Sequence, residues 1–166
     1  MAYYLSRERE QDVMAAYRRY QQYLQEHSSE FPPGALALGT SEWYQHPNDH
    51  RCPHDGRLDT LFVSEITNQD QKHTITMRVR LVAAYHDGFI EFTYPQVFAY
   101  RLESESSEKR PVDWLYDEFR LAENSHLIHE IEWASGSSDQ IFRWTIEASD
   151  VQCHWIPQLP SMMKFN

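Results

Sequence analysis

The chain is poor in glycine and in cysteine. Five glycines in 166 residues supply no glycine-rich turn opening a helix, which argues against the phosphate-cradling loops of nucleotide-binding folds. Two cysteines, Cys52 and Cys153, cannot build the disulfide framework of a small secreted scaffold. They are expected as reduced thiols, with a single bridge between them left open as the alternative. Positive charge is also scarce: 15 lysines and arginines stand against 25 carboxylates, a formal net charge of −10. Such a surface repels phosphate backbones and anionic bilayers, so nucleic acid and membrane are expected not to be partners. It suits a basic protein partner, and plain solubility explains it equally simply. Long apolar runs are missing too. Leu81 to Tyr85 falls far short of the roughly 18 residues of a membrane span, and the start, Met1-Ala2-Tyr3-Tyr4-Leu5 followed by Arg7, lacks the apolar stretch of a secretory signal. A cytoplasmic location is the expectation.

What the chain does have is apolar and aromatic bulk, 41% and 14% of its residues. That is enough for one continuous core, and a single domain over 1–166 is expected. Residues 1–31 read as a helical start. From Arg7 to about His27, Val13, Tyr17, Tyr20 and Leu24 recur on one helical face. Ser6 is a candidate N-cap, with Glu8, Glu10 and Asp12 in the first turns. Pro32 and Pro33 must end that helix. Residues 32–56 hold so many breakers, from Pro32-Pro33-Gly34 to Pro53 and Gly56, that they read as one long loop, and loops of that length tend to carry function.

After Gly56 the period changes to two. Strands are expected over Leu58–Thr67, His73–Tyr85, Phe89–Tyr94, Val97–Leu102, Trp114–Leu121, His126–Trp133, Ile141–Glu147 and Val151–Ile156, with a tail over 157–166. His86-Asp87-Gly88 supplies a tight turn, and Pro95 divides two of the strands. In His126–Trp133 the apolar Leu127, Ile131 and Trp133 share a face with His129. Short turns without intervening helices imply antiparallel pairing. The fold class is therefore α+β: an N-terminal helix packed on an antiparallel β-meander sheet over 57–156, as a sandwich or half-barrel.

The densest polar constellation is His46, His50, Cys52 and His54, the ligand types of zinc, in a compact His-x3-His-x-Cys-x-His spacing. A zinc site there is one expectation; solvated histidines in a polar loop are the plainer one. No Gly-x-Ser-x-Gly or Ser-x-x-Lys is present, and Cys153-His154, adjacent on a strand, point to opposite faces. No catalytic residue is assigned. Glu103 to Glu130 carries eight carboxylates, with Trp114, Tyr116 and Phe119 among them. Acids interleaved with aromatics can steer and anchor a basic partner, and the alternation of a strand with its aromatics in the core gives the same pattern.

His54-Asp55 ahead of a β-meander, together with Trp114-Leu115-Tyr116-Asp117-Glu118, resembles a group of small bacterial β-rich proteins, some of them similar to immunity proteins that neutralise toxins. The likeness covers roughly residues 54 to 150. It implies a non-enzymatic protein-binding domain that occludes a basic partner, with Asp113, Asp117 and Glu118 in ionic contacts and Trp114 or Tyr116 as anchors. The alternatives are a metal-dependent enzyme or small-ligand binder using the His46–His54 loop, and a structural subunit of an oligomer.

Overall fold

The computed structural model describes residues 9, 11–67, 69–70, 72–104, 111–135 and 140–158. The first helix, α1, spans Val13–Glu26. Its start is fixed by Asp12, whose extended backbone (φ −155°) lets the carboxylate accept from the Ala15 amide at 2.8 Å, satisfying one of the donors a helix end leaves free. The helix therefore begins later than the Arg7 expected, and the candidate cap Ser6 lies outside the described residues. Ala16, Tyr20, Tyr23 and Leu24 form the buried stripe. Val13, expected on that stripe, is 43% exposed.

Residues 32–56, expected as a loop, hold a second helix, α2 (Pro33–Gly39), and a 3-10 turn over Glu42–Gln45. The two prolines that argued against a helix begin one instead. Pro32 is the cap and Pro33 the first helical residue, where a missing N–H costs nothing and the ring presets φ. The cap is completed from far away, by the Asp150 carboxylate, which accepts the Gly34 and Ala35 amides at 3.0 Å each. Gly34 is the residue that permits this docking. A Cβ there would lie 2.1 Å from the Val151 carbonyl oxygen.

Seven strands follow: β1 (Arg57–Thr67), β2 (His73–Val82), β3 (Gly88–Leu102), β4 (Pro111–Leu121), β5 (Leu127–Ser135), β6 (Ile141–Ala148) and β7 (Gln152–Pro157). All pair antiparallel in one sheet of order β1-β2-β3-β6-β5-β4, with β7 also on β3. The meander logic thus appears twice, as β1-β2-β3 and as β4-β5-β6, and β6 docking on β3 joins the halves. Pro95 does not end a strand as expected. It sits inside β3 where the register with β2 slips between Tyr94 and Val97 and where the other edge passes from β7, paired up to Thr93, to β6, paired from Val97. At such a change of partner the ladder asks for no N–H from residue 95.

The sheet curls until its two ends meet, where Asp55 donates to the Trp114 carbonyl and Trp114 to the Gly56 carbonyl, each at 2.8 Å. Its inner face buries Met77, Val79, Leu81, Ile90, Phe92, Tyr94, Trp114, Phe119, Ile131, Trp133, Trp144 and Ile146. Helix α1 lies over strand β4. The Tyr20 hydroxyl accepts from the Phe119 amide at 2.7 Å and lies 3.3 Å from the Phe119 carbonyl oxygen, and the Tyr23 hydroxyl accepts from the Leu121 amide at 2.9 Å. A strand at the end of the sheet is thereby covered by the helix rather than left open.

Candidate functional site

Between Trp114 and Tyr116 the β4–β5 register slips. Trp114 faces Trp133, Tyr116 faces Glu132 and Asp117 faces Ile131, so Leu115 is the extra residue of a β-bulge. Plain alternation puts Trp114 and Asp117 on opposite faces; the bulge brings both to the inner one. There the Trp114 indole N–H donates to Asp117 Oδ1 at 3.1 Å, and the Tyr44 hydroxyl donates to Oδ2 at 2.6 Å. His129 Nε2 lies 2.9 Å from the same Oδ2, and its Nδ1 lies 2.7 Å from the Tyr94 hydroxyl. One assignment satisfies every atom: Nε2–H donates to the carboxylate, and Nδ1 accepts from Tyr94. Asp117 then receives three donors, and a chain Tyr94–His129–Asp117–Tyr44 runs through the core. Burial, and after it the charge of Asp117, holds the Tyr44 and Tyr94 hydroxyls well above the ordinary tyrosine range, so both remain protonated donors.

Asp117 is also the floor of a cavity of about 440 Å³. One wall is the first turn of α1, with Val13, Met14 and Tyr17; another is the 3-10 turn, with Glu42, Tyr44 and Gln45. His46, Cys52, Pro53 and His54 come from the segment that follows, and Trp114, Leu115 and Tyr116 from the bulge. The segment is stitched to the bulge. Besides the two backbone bonds of Trp114, His54 Nδ1–H is donated to the carbonyl of Leu115, which the bulge has taken out of the ladder. A tight turn closed by Gly56 N to Pro53 O at 2.9 Å, with Asp55 at a positive φ of 61°, sets the direction; aspartate is among the few residues that tolerate it.

Neither thiol near the site is poised for nucleophilic chemistry. Cys52 donates to the Tyr44 carbonyl, and burial pushes its pKa up to about 12. Cys153, on β7, is likewise pushed up to about 12, by burial first and by Asp117 second. The two are free thiols. The Asp117–His129 pair also differs from a hydrolytic dyad: Asp117 lines the cavity, while the fully buried imidazole does not. The arrangement positions an acceptor; it does not activate a nucleophile.

The opposite face of the same strands carries an ion ladder. Arg9 reaches Glu132 at 2.8 Å, Arg143 reaches Glu130 at 2.8 Å and Glu132 at 2.7 Å, and Arg120 pairs with Glu118 at 2.9 Å and with Glu130. The Arg9 guanidinium also lies 3.9 Å from the centre of the Tyr116 ring.

The residues expected as an exposed contact patch are therefore divided. Trp114 and Asp117 are buried on the inner face, Glu118 is fully buried in the ion ladder, Tyr116 is half-buried beneath Arg9, and Asp113 is half-buried. The cause is the bulge at Leu115 together with the arginines that neutralise the acids. The expected metal ligands are not gathered either. His46 accepts from the Asn48 amide, His50 stacks on Tyr85 at 4.1 Å and pairs with Asp87, Cys52 is a buried thiol, and His54 is held by Leu115. Among the described residues no group of three or more histidine, cysteine or carboxylate side chains is placed to hold a metal ion. Three of those four residues, His46, Cys52 and His54, line the cavity instead.

Tyr44, Tyr94 and His129 were not singled out from sequence as site residues. For His129 a signal existed, a lone imidazole on the apolar face of Leu127, Ile131 and Trp133. Tyr44, in a segment taken for loop, gave none. No family model, curated protein or solved structure matches the chain.

Proposed function

We propose that this protein binds a small molecule in the cavity above Asp117. The observation that carries the reading is the floor: a carboxylate fixed by three donors, at the base of a concavity whose volume of about 440 Å³ falls within the roughly 300–1,000 Å³ of small-ligand sites. A polar group whose partners are already in place needs no reorganisation to meet a ligand, which is how affinity is gained in a pre-formed site. The two thiols and the buried tyrosine hydroxyls keep their protons, so recognition rather than bond-making suits the site.

Thermal shift against a library of small molecules tests this, with the wild type beside a cavity-filling Met14→Trp variant. Met14 is 61% exposed, so the substitution reaches the mouth without disturbing the core. A ligand at about one hundred times its Kd adds about 2.7 kcal/mol to stability. The reading expects compounds that raise the Tm of the wild type and leave the variant unmoved; equal shifts in both, or none in either, contradict it.

A second reading, an inhibitor or immunity-type domain that occludes a basic protein, is supported by the charge of −10 and by strand β1. Beyond its meeting with β4, β1 pairs only with β2 among the described residues, and it exposes Leu61, Phe62, Val63 and Ile66 beside Asp59 and Glu65. Such an edge can add a strand from a partner. Salt-dependent capture of a basic protein, lost in Phe62→Lys and retained in Met14→Trp, is what this second reading expects; capture insensitive to Phe62→Lys contradicts its placement.

A further inference from the structure

Resting on the small-molecule reading, we infer that the ligand of this cavity is an organic cation, an ammonium carried on an aromatic or aliphatic body of modest size. The inference comes from what lines the site. Two carboxylates, Glu42 and Asp117, line the cavity, and among the described residues no lysine or arginine does. In a cavity whose walls are otherwise mostly apolar, with Gln45, His46 and His54 as polar exceptions, two carboxylates give one sign of potential, and low-dielectric walls focus it.

The hydrogen-bond accounting points the same way. Each carboxylate oxygen takes about two donors. Oδ2 of Asp117 has Tyr44 and His129, and Oδ1 has Trp114 alone, so one acceptor site remains for a donor entering the cavity. His54 also lines the cavity, with its Nδ1–H committed to Leu115 and its Nε2 3.7 Å from the Asp55 carboxylate. The Tyr44 hydroxyl and the Trp114 indole N–H, the donors nearest the floor, are both spent on Asp117. The carboxylate of Asp117 thus asks for a donor, which an ammonium supplies and a carboxylate or phosphate does not, while Gln45 on the wall can meet an acceptor elsewhere on the ligand.

The aromatic lining completes the match. Tyr17, Tyr44 and Trp114 border the cavity, and aromatic faces attract a cation, more so where it is desolvated. Burial, and after it the charge of Glu42, raises the Tyr17 hydroxyl above its ordinary range, so Glu42 stands close enough to act on this wall. On the other side of the bulge, Arg9 over the ring of Tyr116 is the same pairing made within the chain.

The test is a matched series on the intact protein, followed by tryptophan fluorescence and calorimetry: 2-phenylethylammonium, 2-phenylethanol and phenylacetate, and the same three head groups on a naphthyl body. The expected result is that the ammonium of each set binds at least tenfold tighter than its alcohol, with the carboxylate weakest. Glu42→Gln, at an exposed position outside the core, should weaken the ammonium several-fold and leave the alcohol unchanged. Raising the ionic strength should narrow the gap in the wild type. An alcohol or carboxylate that binds as tightly as its ammonium, or a preference untouched by Glu42→Gln, overturns the cation inference while the cavity reading stands. Failure of all six compounds also overturns the cation inference, and the cavity reading is then decided by the library screen of the wild type against Met14→Trp.

Discussion

Asp117 shows how a single side chain can be structural and functional at once. Its carboxylate is removed from water, and the cost of that is met by three donors from three different elements, Tyr44, Trp114 and His129. Removing one donor leaves a buried acceptor short, and a hydrogen bond to a charged group contributes about 1.5–3 kcal/mol. Tyr44→Phe should therefore lower stability by about that amount, read from the denaturant midpoint, with little change in slope. A loss below about 0.5 kcal/mol contradicts the three-donor account. The thiols give a second prediction at this scale. Cys52 and Cys153 ionise near 9 in the unfolded chain and at about 12 in the fold. Above pH 9 the unfolded state releases protons that the native state retains, so stability must fall between pH 9 and 12, by up to about 1.4 kcal/mol per pH unit for each proton. Native protein should also resist alkylation at pH 8 and react once denatured. Rapid alkylation of the native thiols, or stability that is flat from pH 9 upward, is the contrary result.

At the scale of elements, what the sequence made legible was periodicity and what it hid was contact at a distance. The strands could be read from alternation, though β3 is one strand through Pro95, β2 ends at Val82 rather than Tyr85 and β4 begins at Pro111 rather than Trp114; the body of α1 could be read from its apolar stripe. Pro95 misled because a proline breaks a ladder only where a ladder bond is needed. Helix α2 was hidden because its cap, Asp150, lies 116 residues from Gly34, and nothing local marks that pairing. The bulge at Leu115 was hidden for a similar reason: strict alternation through Trp114-Leu115-Tyr116-Asp117-Glu118 gives a plausible exposed acid face, and one added residue turns Asp117 inward and leaves Glu118 among arginines. The site was therefore half visible, as a suspect segment around His46–His54 and a suspect strand around Asp117, without the geometry that joins them. The covering of β4 by α1 yields its own prediction. Tyr20→Phe strips the buried Phe119 amide of its acceptor and should cost about 1–3 kcal/mol. The exposed cap change Asp12→Ala should cost about 1 kcal/mol. Equal and negligible losses in both variants contradict the reading that the helix holds the strand through these bonds.

For the whole molecule, the curled sheet and the helices laid against it divide the labour. The inner face supplies a dry core and one fixed acceptor, and the outer face of β4–β6 neutralises its glutamates with Arg9, Arg120 and Arg143. Three of the 25 carboxylates are spent this way, each against an arginine, so the net charge of −10 still falls on the remaining surface. No described helix is long and apolar enough to cross a membrane. What is left is a cavity where α1, the segment after α2 and the bulge converge, lined by the buried Asp117.

The most direct test is to watch that meeting point while a ligand is added. In a ¹H–¹⁵N spectrum the Trp114 indole N–H, bonded to Asp117, reports on the floor of the cavity, and the indoles of Trp133, Trp144 and Trp155, which do not line it, serve as references. Titration with 2-phenylethylammonium should shift the Trp114 indole resonance saturably and leave those three in place. A Trp114 resonance that does not move, or shifts of equal size at all four indoles, contradicts the account.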